Sequence, residues 1–193
     1  MAAALNPGIG PIWPISVETY HEMADKGILH SGDPVELLEG IIVQKPVKGP
    51  PHVFSNGAAR VTLDRVLPHG WFVNVQDPIT LAASEPEPDI TVIRGDRRDY
   101  LKRHPGPAEV GLVMEIADSS LERDSILKKR IYASAGIPYY WLLNLKTRSL
   151  EVYSVPQGNE YVQRAVVRSE QTADVVLDGN TVGAVRVADL LPE

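Results

Sequence analysis

The sequence predicts an α/β (α+β) protein with a mixed central sheet flanked by helices and with additional antiparallel hairpins. Short runs of β-branched and aromatic residues, bounded by glycine, proline or aspartate, have the length and pattern of strands. Longer stretches between them repeat apolar residues at helical spacing. With 193 residues, of which 44% are hydrophobic and 23% charged, the chain can bury a sizeable core.

In the first part of the chain, cap and turn residues bound the predicted elements. Ser16 is an N-cap residue for a helix over Val17 to Lys26. The extended stretch Val35 to Lys45 predicts a hairpin that turns near Gly40. Apolar residues at helical spacing then indicate an amphipathic helix from His52 to Leu67.

The middle of the chain is predicted to form the core sheet. Trp71 to Val75 and Ile79 to Leu81 have strand character, and a further strand runs from Ile90 to Ile93 behind Pro88. The mostly apolar run Val110 to Ala117 has the length of a buried central strand.

A helix and a hairpin are predicted to complete the core. Ser119 and Glu122 have the spacing of a capping box, and the helix they open runs to about Ala135. Three strands then follow in the order Tyr140 to Leu145, Leu150 to Val155 and Tyr161 to Val167.

Composition limits the organisation and the classes of site. Residues 1–15 form an N-terminal extended segment broken by prolines, and residues 16–193 are expected to form a single domain. The absence of cysteine excludes disulfides and thiolate metal sites, which fits a reducing cytoplasm. Neither a signal peptide nor a membrane span is expected.

The charge pattern gives two opposing indications. A net charge of -6 argues against a nucleic-acid binder, because such proteins usually carry a basic excess. Basic residues nevertheless cluster after the two strands that carry the candidate acids, which would bring them beside the site. The interleaved acids leave open that both segments are simply solvated surface. The basic residues concerned are Arg94, Arg97, Arg98, Lys102, Arg103, Arg123, Lys128, Lys129 and Arg130.

Two strand acids could form a divalent-metal site. Asp89 stands at the start of one strand, and Glu115 lies near the end of a hydrophobic strand, where an unpaired carboxylate is costly. If the strands are neighbours, both acids face one edge of the sheet and offer the oxygen ligands that Mg²⁺ prefers. A buried, hydrogen-bonded acid is an equally good interpretation of Glu115.

Helical phase selects one basic residue to join the acids. Leu127, Ile131 and Ala135 share the buried stripe of the predicted helix, and Lys128 lies at the edge of that stripe. The alternative is an exposed i,i+4 pair between Asp124 and Lys128, worth only about 0.3–0.5 kcal/mol.

Taken together, several short strings over about residues 16 to 190 resemble one family. Their order and spacing are similar to those of the Uma-two family of restriction endonuclease-like proteins, which belongs to the PD-(D/E)XK nuclease superfamily. The strings are Glu36-Leu37-Leu38-Glu39-Gly40, His52, Pro88-Asp89-Ile90, Met114 to Ser120, Arg123-Asp124, Lys128, Tyr132-Ala133, Gly136-Ile137-Pro138 and Tyr140-Trp141.

The resemblance implies a restriction endonuclease-like core and a set of site residues. Asp89 and Glu115 match the metal-binding acids, with the backbone carbonyl of Ile116 as a further metal ligand. Superfamily members often place a lysine two residues after the second acid, where this chain has Ala117. Lys128, on the following helix, matches the lysine as this family has it.

Three further positions match polar residues of the family. Glu36 would be a further ligand or a water-positioning group, with Glu39 as the less favoured choice. His52 and Gln76 also match. For Glu36, His52 and Gln76, a purely structural polar role is left open.

The function that the resemblance implies is Mg²⁺-dependent, or alternatively Mn²⁺-dependent, endonucleolytic hydrolysis of DNA, with a homodimer as a further implication. One alternative is a catalytically weak or inactive module that keeps the fold to bind nucleic acid or protein. Another is a structural protein in which the strand carrying Tyr140 and Trp141 is an interface rather than core.

Overall fold

The computed structural model describes residues 11–118 and 123–193. It contains three α-helices, which are α1 (Val17–Asp25), α2 (Pro50–Asp64) and α3 (Lys129–Ser134). The ten strands within these residues are β1 (Val35–Leu38), β2 (Ile41–Gln44), β3 (Trp71–Val75), β4 (Ile90–Arg94), β5 (Val110–Ala117), β6 (Tyr139–Asn144), β7 (Ser149–Gln157), β8 (Glu160–Arg168), β9 (Thr172–Leu177) and β10 (Asn180–Arg186).

Six of these strands form the predicted mixed central sheet, in the order β3-β4-β5-β6-β7-β8. All neighbours are antiparallel except β5 and β6, which run parallel. β5 is buried along its whole length, as its apolar sequence predicts. The pairs β1-β2 and β9-β10 form two separate antiparallel hairpins.

Helices cover both faces of the sheet. On one face, Ala59 and Leu63 of α2 pack with Met114 and Ile116 of β5, together with the β9-β10 hairpin. On the other face, residues of α3 such as Ile131 pack with Val113 and Ala117 of β5 and with Tyr140 of β6 and Tyr153 of β7. Successive side chains of β5 point to opposite faces of the sheet, so this strand contributes residues to both halves of the core.

The structure distinguishes the alternatives for two segments: Ile79 to Leu81, predicted as a strand, and the strand of Tyr140 and Trp141, for which an interface role was left open. Ile79–Leu81 is not a strand. Ile79 and Leu81 are buried, but the amides of Ile79 and Thr80 bond to carbonyls of nearby loops, those of Pro86 and Pro105. Tyr140 and Trp141 are core residues with 0% and 1% of their surface exposed, so this strand is not an interface.

The helix predicted from the capping box has a different form where it is described. Ser119 and Glu122 lie outside the described residues. Arg123–Lys128 forms a π-helical turn, and a short α-helix, α3, follows and ends before Gly136. The helix therefore exists at the predicted position, but its first described turn is wider than an α-helix.

The β1-β2 hairpin closes with a two-residue turn at Glu39 and Gly40, which both have positive φ, 49° and 79°. This is the type I′ conformation, which favours glycine at the second position. A Cβ on Gly40 would lie 2.6 Å from the Cβ of Pro14 and 3.0 Å from the carbonyl oxygen of Ile15. Gly40 thus fixes both the turn and the approach of the N-terminal segment.

Gly40→Ala should lower the free energy of unfolding by about 1–3 kcal/mol, because the new methyl group has no space and the backbone conformation is strained. Urea unfolding measures the change. The matched control is Gly57→Ala in α2, where nothing lies within 4 Å of an added Cβ and helix propensity should give a gain of about 0.5–1 kcal/mol. Equal changes for both variants would contradict this account of the turn.

No helix in residues 11–118 and 123–193 combines the length and apolar character needed to cross a lipid bilayer.

Candidate active site

The register of two neighbouring strands brings the predicted acids together. Ile90 of β4 pairs with Met114 of β5, so the antiparallel register places Asp89 beside Glu115. Both residues are buried, with 6% and 3% of their surface exposed. A hydrogen bond links Asp89 to the residue next to Glu115: the backbone N–H of Ile116 donates to Oδ2 of Asp89 at 2.9 Å.

Asp89 is held from α2 and from the loop after β3. Nε2 of His52 lies 3.0 Å from Asp89 Oδ2, and Nε2 of Gln76 donates to Oδ1 at 3.4 Å. Prolines at the first two positions of α2 place His52 in its first turn, directly over the start of β4. His52 and Gln76 therefore both contact the carboxylate of Asp89.

The environment of Asp89 favours its ionised form. Burial alone would raise the pKa of its carboxyl group. The hydrogen bond and charge of His52, the Ile116 amide and the Lys128 ammonium outweigh burial and lower that pKa below its ordinary value. Asp89 therefore accepts hydrogen bonds as a carboxylate, and Nε2 of His52 carries the donated proton.

Glu115 is held from the opposite face of the sheet. Nζ of Lys128 lies 3.0 Å from Glu115 Oε1, and the hydroxyl of Tyr132 donates to the same oxygen at 2.6 Å. Lys128 is 5% exposed, so the prediction that this lysine reaches the sheet agrees with the structure. The side chain of Asp124, its alternative partner, lies outside the described side chains.

Glu36 joins the same cluster from the β1-β2 hairpin. Its Oε2 lies 3.2 Å from Lys128 Nζ and accepts from the backbone N–H of Glu87 at 3.2 Å. Lys128 thus bridges Glu36 and Glu115. Glu39, one turn residue further on, instead forms an exposed ion pair with Arg130 and does not enter the cluster.

Tyr132 is the residue that the sequence interpretation left without a role. Burial, followed by the charge of Glu115 and the hydrogen bond to it, raises the pKa of Tyr132 well above its ordinary value. The phenol therefore keeps its proton and acts as a donor to Glu115. The available signal was its position four residues after Lys128, on a helix predicted to face the sheet.

Tyr132→Phe should lower the free energy of unfolding by about 1.5–3 kcal/mol, because a buried carboxylate loses a hydrogen-bond donor. Tyr161→Phe provides a matched control, since its hydroxyl bonds to a neutral carbonyl, that of Ile137, at 2.8 Å. That control should lose only about 0.5–1.5 kcal/mol. Urea unfolding measures both variants. A smaller loss of unfolding free energy for Tyr132→Phe than for Tyr161→Phe would refute the role of Tyr132 as a donor to a buried carboxylate.

The basic cluster after β4 does not lie beside the acids, contrary to the sequence interpretation. β4 begins directly after Asp89 and ends at Arg94, so this segment leaves the sheet at the opposite end, about 16 Å along the strand. Arg94 and Arg103 form ion pairs with Asp178 and Glu109.

The residues present fit a divalent cation. Within the described residues, no three histidine or acidic side chains form a ready-made metal cluster. Mg²⁺, however, is usually held by one or two carboxylates together with water. The buried carboxylates of Asp89, Glu115 and Glu36 lie around the Lys128 ammonium, and carboxylate oxygens are the ligands that such a cation prefers.

The mixed central sheet with helices on both faces is that of the restriction endonuclease-like class. A family model described as "Putative restriction endonuclease" matches residues 17–184, and the chain belongs to this family, Uma2. The family is one of nucleases.

A solved structure supports the same fold. A "putative nuclease belonging to DUF820" from Anabaena variabilis ATCC 29413 superposes with a TM-score of 0.68 at 18% sequence identity, over 92% of this chain and 97% of that chain. No curated protein sequence matches this chain.

Proposed function

We propose that this protein is a metal-dependent endonuclease that hydrolyses phosphodiester bonds in DNA, with Asp89 and Glu115 as the metal-binding acids. The observation that carries the proposal is the buried group of Asp89, Glu115 and Lys128 at the end of two paired strands. Membership in a nuclease family supports it. Mg²⁺ is the expected ion, and Mn²⁺ is a suitable substitute because both prefer oxygen ligands.

The metal would be held by the carboxylates of Asp89 and Glu115 and by the backbone carbonyl of Ile116. When bound, it would polarise the phosphodiester and lower the pKa of a coordinated water. The chain's own residues supply the remaining functions. Lys128 would orient the attacking water or neutralise charge that develops on the phosphate.

Glu36 and His52 would act on the same reaction from two sides. Glu36 holds Lys128 through Oε2, so it would set the position of the ammonium group or a water beside it. His52 donates to Asp89 and would fix the direction of that carboxylate. Tyr132 does the same for Glu115. Glu36, His52 and Tyr132 would thus act through the residues they contact, by fixing the positions of the two acids and the lysine.

Supercoiled plasmid incubated with the protein and Mg²⁺ or Mn²⁺ tests the proposal. We expect nicked and linear products that carry 5′ phosphates, detected by ligation, and no products when EDTA replaces the metal. Cleavage that persists in EDTA would overturn the metal requirement, and no cleavage of DNA with either ion would overturn the enzyme assignment.

Calorimetry with Mn²⁺ separates the enzyme from the alternative of a binding module. The enzyme should release or absorb heat that disappears when Asp89 and Glu115 are both replaced by their amides. A module that merely keeps the fold should show no heat that depends on these two residues.

A further inference from the structure

The last strand of the central sheet has an open edge. β8 pairs with β7 on one side only, and among the described residues no backbone group of residues 160–167 bonds to any other element. A strand whose outward N–H and C=O groups are unpaired can accept another strand. This edge plays no part in the proposed active site.

Most side chains of β8 are also exposed. Val162 and Val166 have 54% and 51% of their surface in contact with solvent. Glu160 and Arg168, at the two ends, are exposed as well and form no ion pair within the described residues. β8 contains neither proline nor lysine, two of the residues that protect free edges, and its central charge, Arg164, is paired with Glu151 of β7.

The sequence of β8 is complementary to itself in an antiparallel register. A twofold axis between two identical antiparallel strands must pass beside a residue that lies opposite its own copy. With Arg164 on the axis, Glu160 lies opposite Arg168 of the second copy, and Val162 lies opposite Val166. An axis at Val162 would place Glu160 opposite Arg164, but Arg164 is already paired with Glu151 of its own copy. An axis at Gln163 or at Ala165 brings no acid opposite a base.

We propose that β8 pairs with β8 of a second copy of this chain, with the twofold axis beside Arg164, so that two six-stranded sheets become one continuous sheet. Because a twofold axis repeats every contact, this pairing forms two Glu160–Arg168 ion pairs and two Val162–Val166 contacts. Backbone hydrogen bonds between the two strands add to them.

The residue on the axis is compatible with this pairing. Two arginines directly opposite each other would repel if both were uncompensated. Arg164, however, is paired within its own copy: its Nε and Nη2 lie 3.0 Å and 2.9 Å from Oε2 of Glu151. Its guanidinium also lies over the ring of Tyr153, 5.8 Å from the centroid. The axis therefore brings together two neutralised pairs.

Sedimentation velocity over a concentration series tests the proposal with the full chain. The wild-type protein should sediment as a dimer at high concentration. Glu160→Arg and Arg168→Glu should each weaken dimerisation by about tenfold or more, because each reversal places like charges opposite one another twice. The double variant Glu160→Arg/Arg168→Glu should restore dimerisation to within about threefold of wild type, since it re-forms both ion pairs in reverse.

Two further variants keep the test decisive. Val166→Lys places a charge on the edge and should also give monomer. Phe54→Asp lies on the exposed face of α2 with Val53 and Val61 and should leave the dimer intact. Circular dichroism checks that every variant is folded, and all replaced residues are exposed.

A wild-type protein that stays monomeric at every concentration would overturn the proposal. So would a double variant that fails to recover, or a dimer that Phe54→Asp dissociates while the β8 variants do not. The readout is mass, not cleavage, so the result is independent of the proposed nuclease activity.

Discussion

Asp89→Asn is expected to reduce metal-dependent plasmid nicking by about a thousandfold or more. The change removes one negative oxygen ligand but keeps the size of the side chain, so the loss comes from weaker metal binding and from lost stabilisation of the transition state. Several kcal/mol of such stabilisation correspond to this factor. Initial rates on supercoiled plasmid in Mg²⁺, with protein in excess, measure it.

Asp77→Asn is the matched control. Asp77 belongs to the loop that leads from Gln76 towards Asp89, but it is exposed and makes no hydrogen bond within the described residues. Its variant should nick at the wild-type rate. Urea unfolding should show that both variants remain folded. Nicking by folded Asp89→Asn at a rate within tenfold of the control would remove Asp89 from the active site.

Lys128→Met is expected to lower the free energy of unfolding at neutral pH by about 3–5 kcal/mol. The variant keeps the length and apolar stem of the side chain but removes the ammonium that Glu36 and Glu115 share. Two buried carboxylates then face each other without that charge, and breaking a buried pair from one side has a cost of this size. Urea unfolding at pH 7 measures the change.

Its control is the neighbouring residue. Nζ of Lys129 lies 4.8 Å from the centroid of the Tyr153 ring, so Lys129→Met should cost only about 0.5–1 kcal/mol. Adding Glu36→Gln to Lys128→Met should recover part of the lost stability, because one of the two carboxylates becomes neutral. If the added change lowered stability further, the charge account of the cluster would be wrong.

Most of the sheet could be predicted because each strand carries its own local pattern. Val110–Ala117 is apolar apart from Glu115 and is buried on both faces, and β6, β7 and β8 lie where their patterns indicate. Ile79–Leu81 misled the prediction because a short apolar run also suits a buried loop. The β9-β10 hairpin was not predicted, although Asp178-Gly179, both with positive φ, is a strong turn signal.

The candidate site could be predicted only in part, because local sequence shows the charged residues but not their tertiary partners. Asp89, Glu115 and Lys128 carry charge in places where charge is costly, which a sequence reveals. Their partners depend on tertiary packing: His52 comes to Asp89 from α2 on one face, and Tyr132 comes to Glu115 from α3 on the other. No local pattern shows which helix covers which face of the sheet.

The π-helical turn Arg123–Lys128 takes up one residue more than an α-helical turn would. Lys128 ends this turn with α-helical backbone angles and continues directly into α3, so its side chain keeps a fixed phase with that of Tyr132, one helical turn later. The extra residue is therefore accommodated before Lys128. A chain that lost this residue would have to shorten the connection on the β5 side of the turn, whereas the two donors to Glu115 would still move together on one face of the same helix.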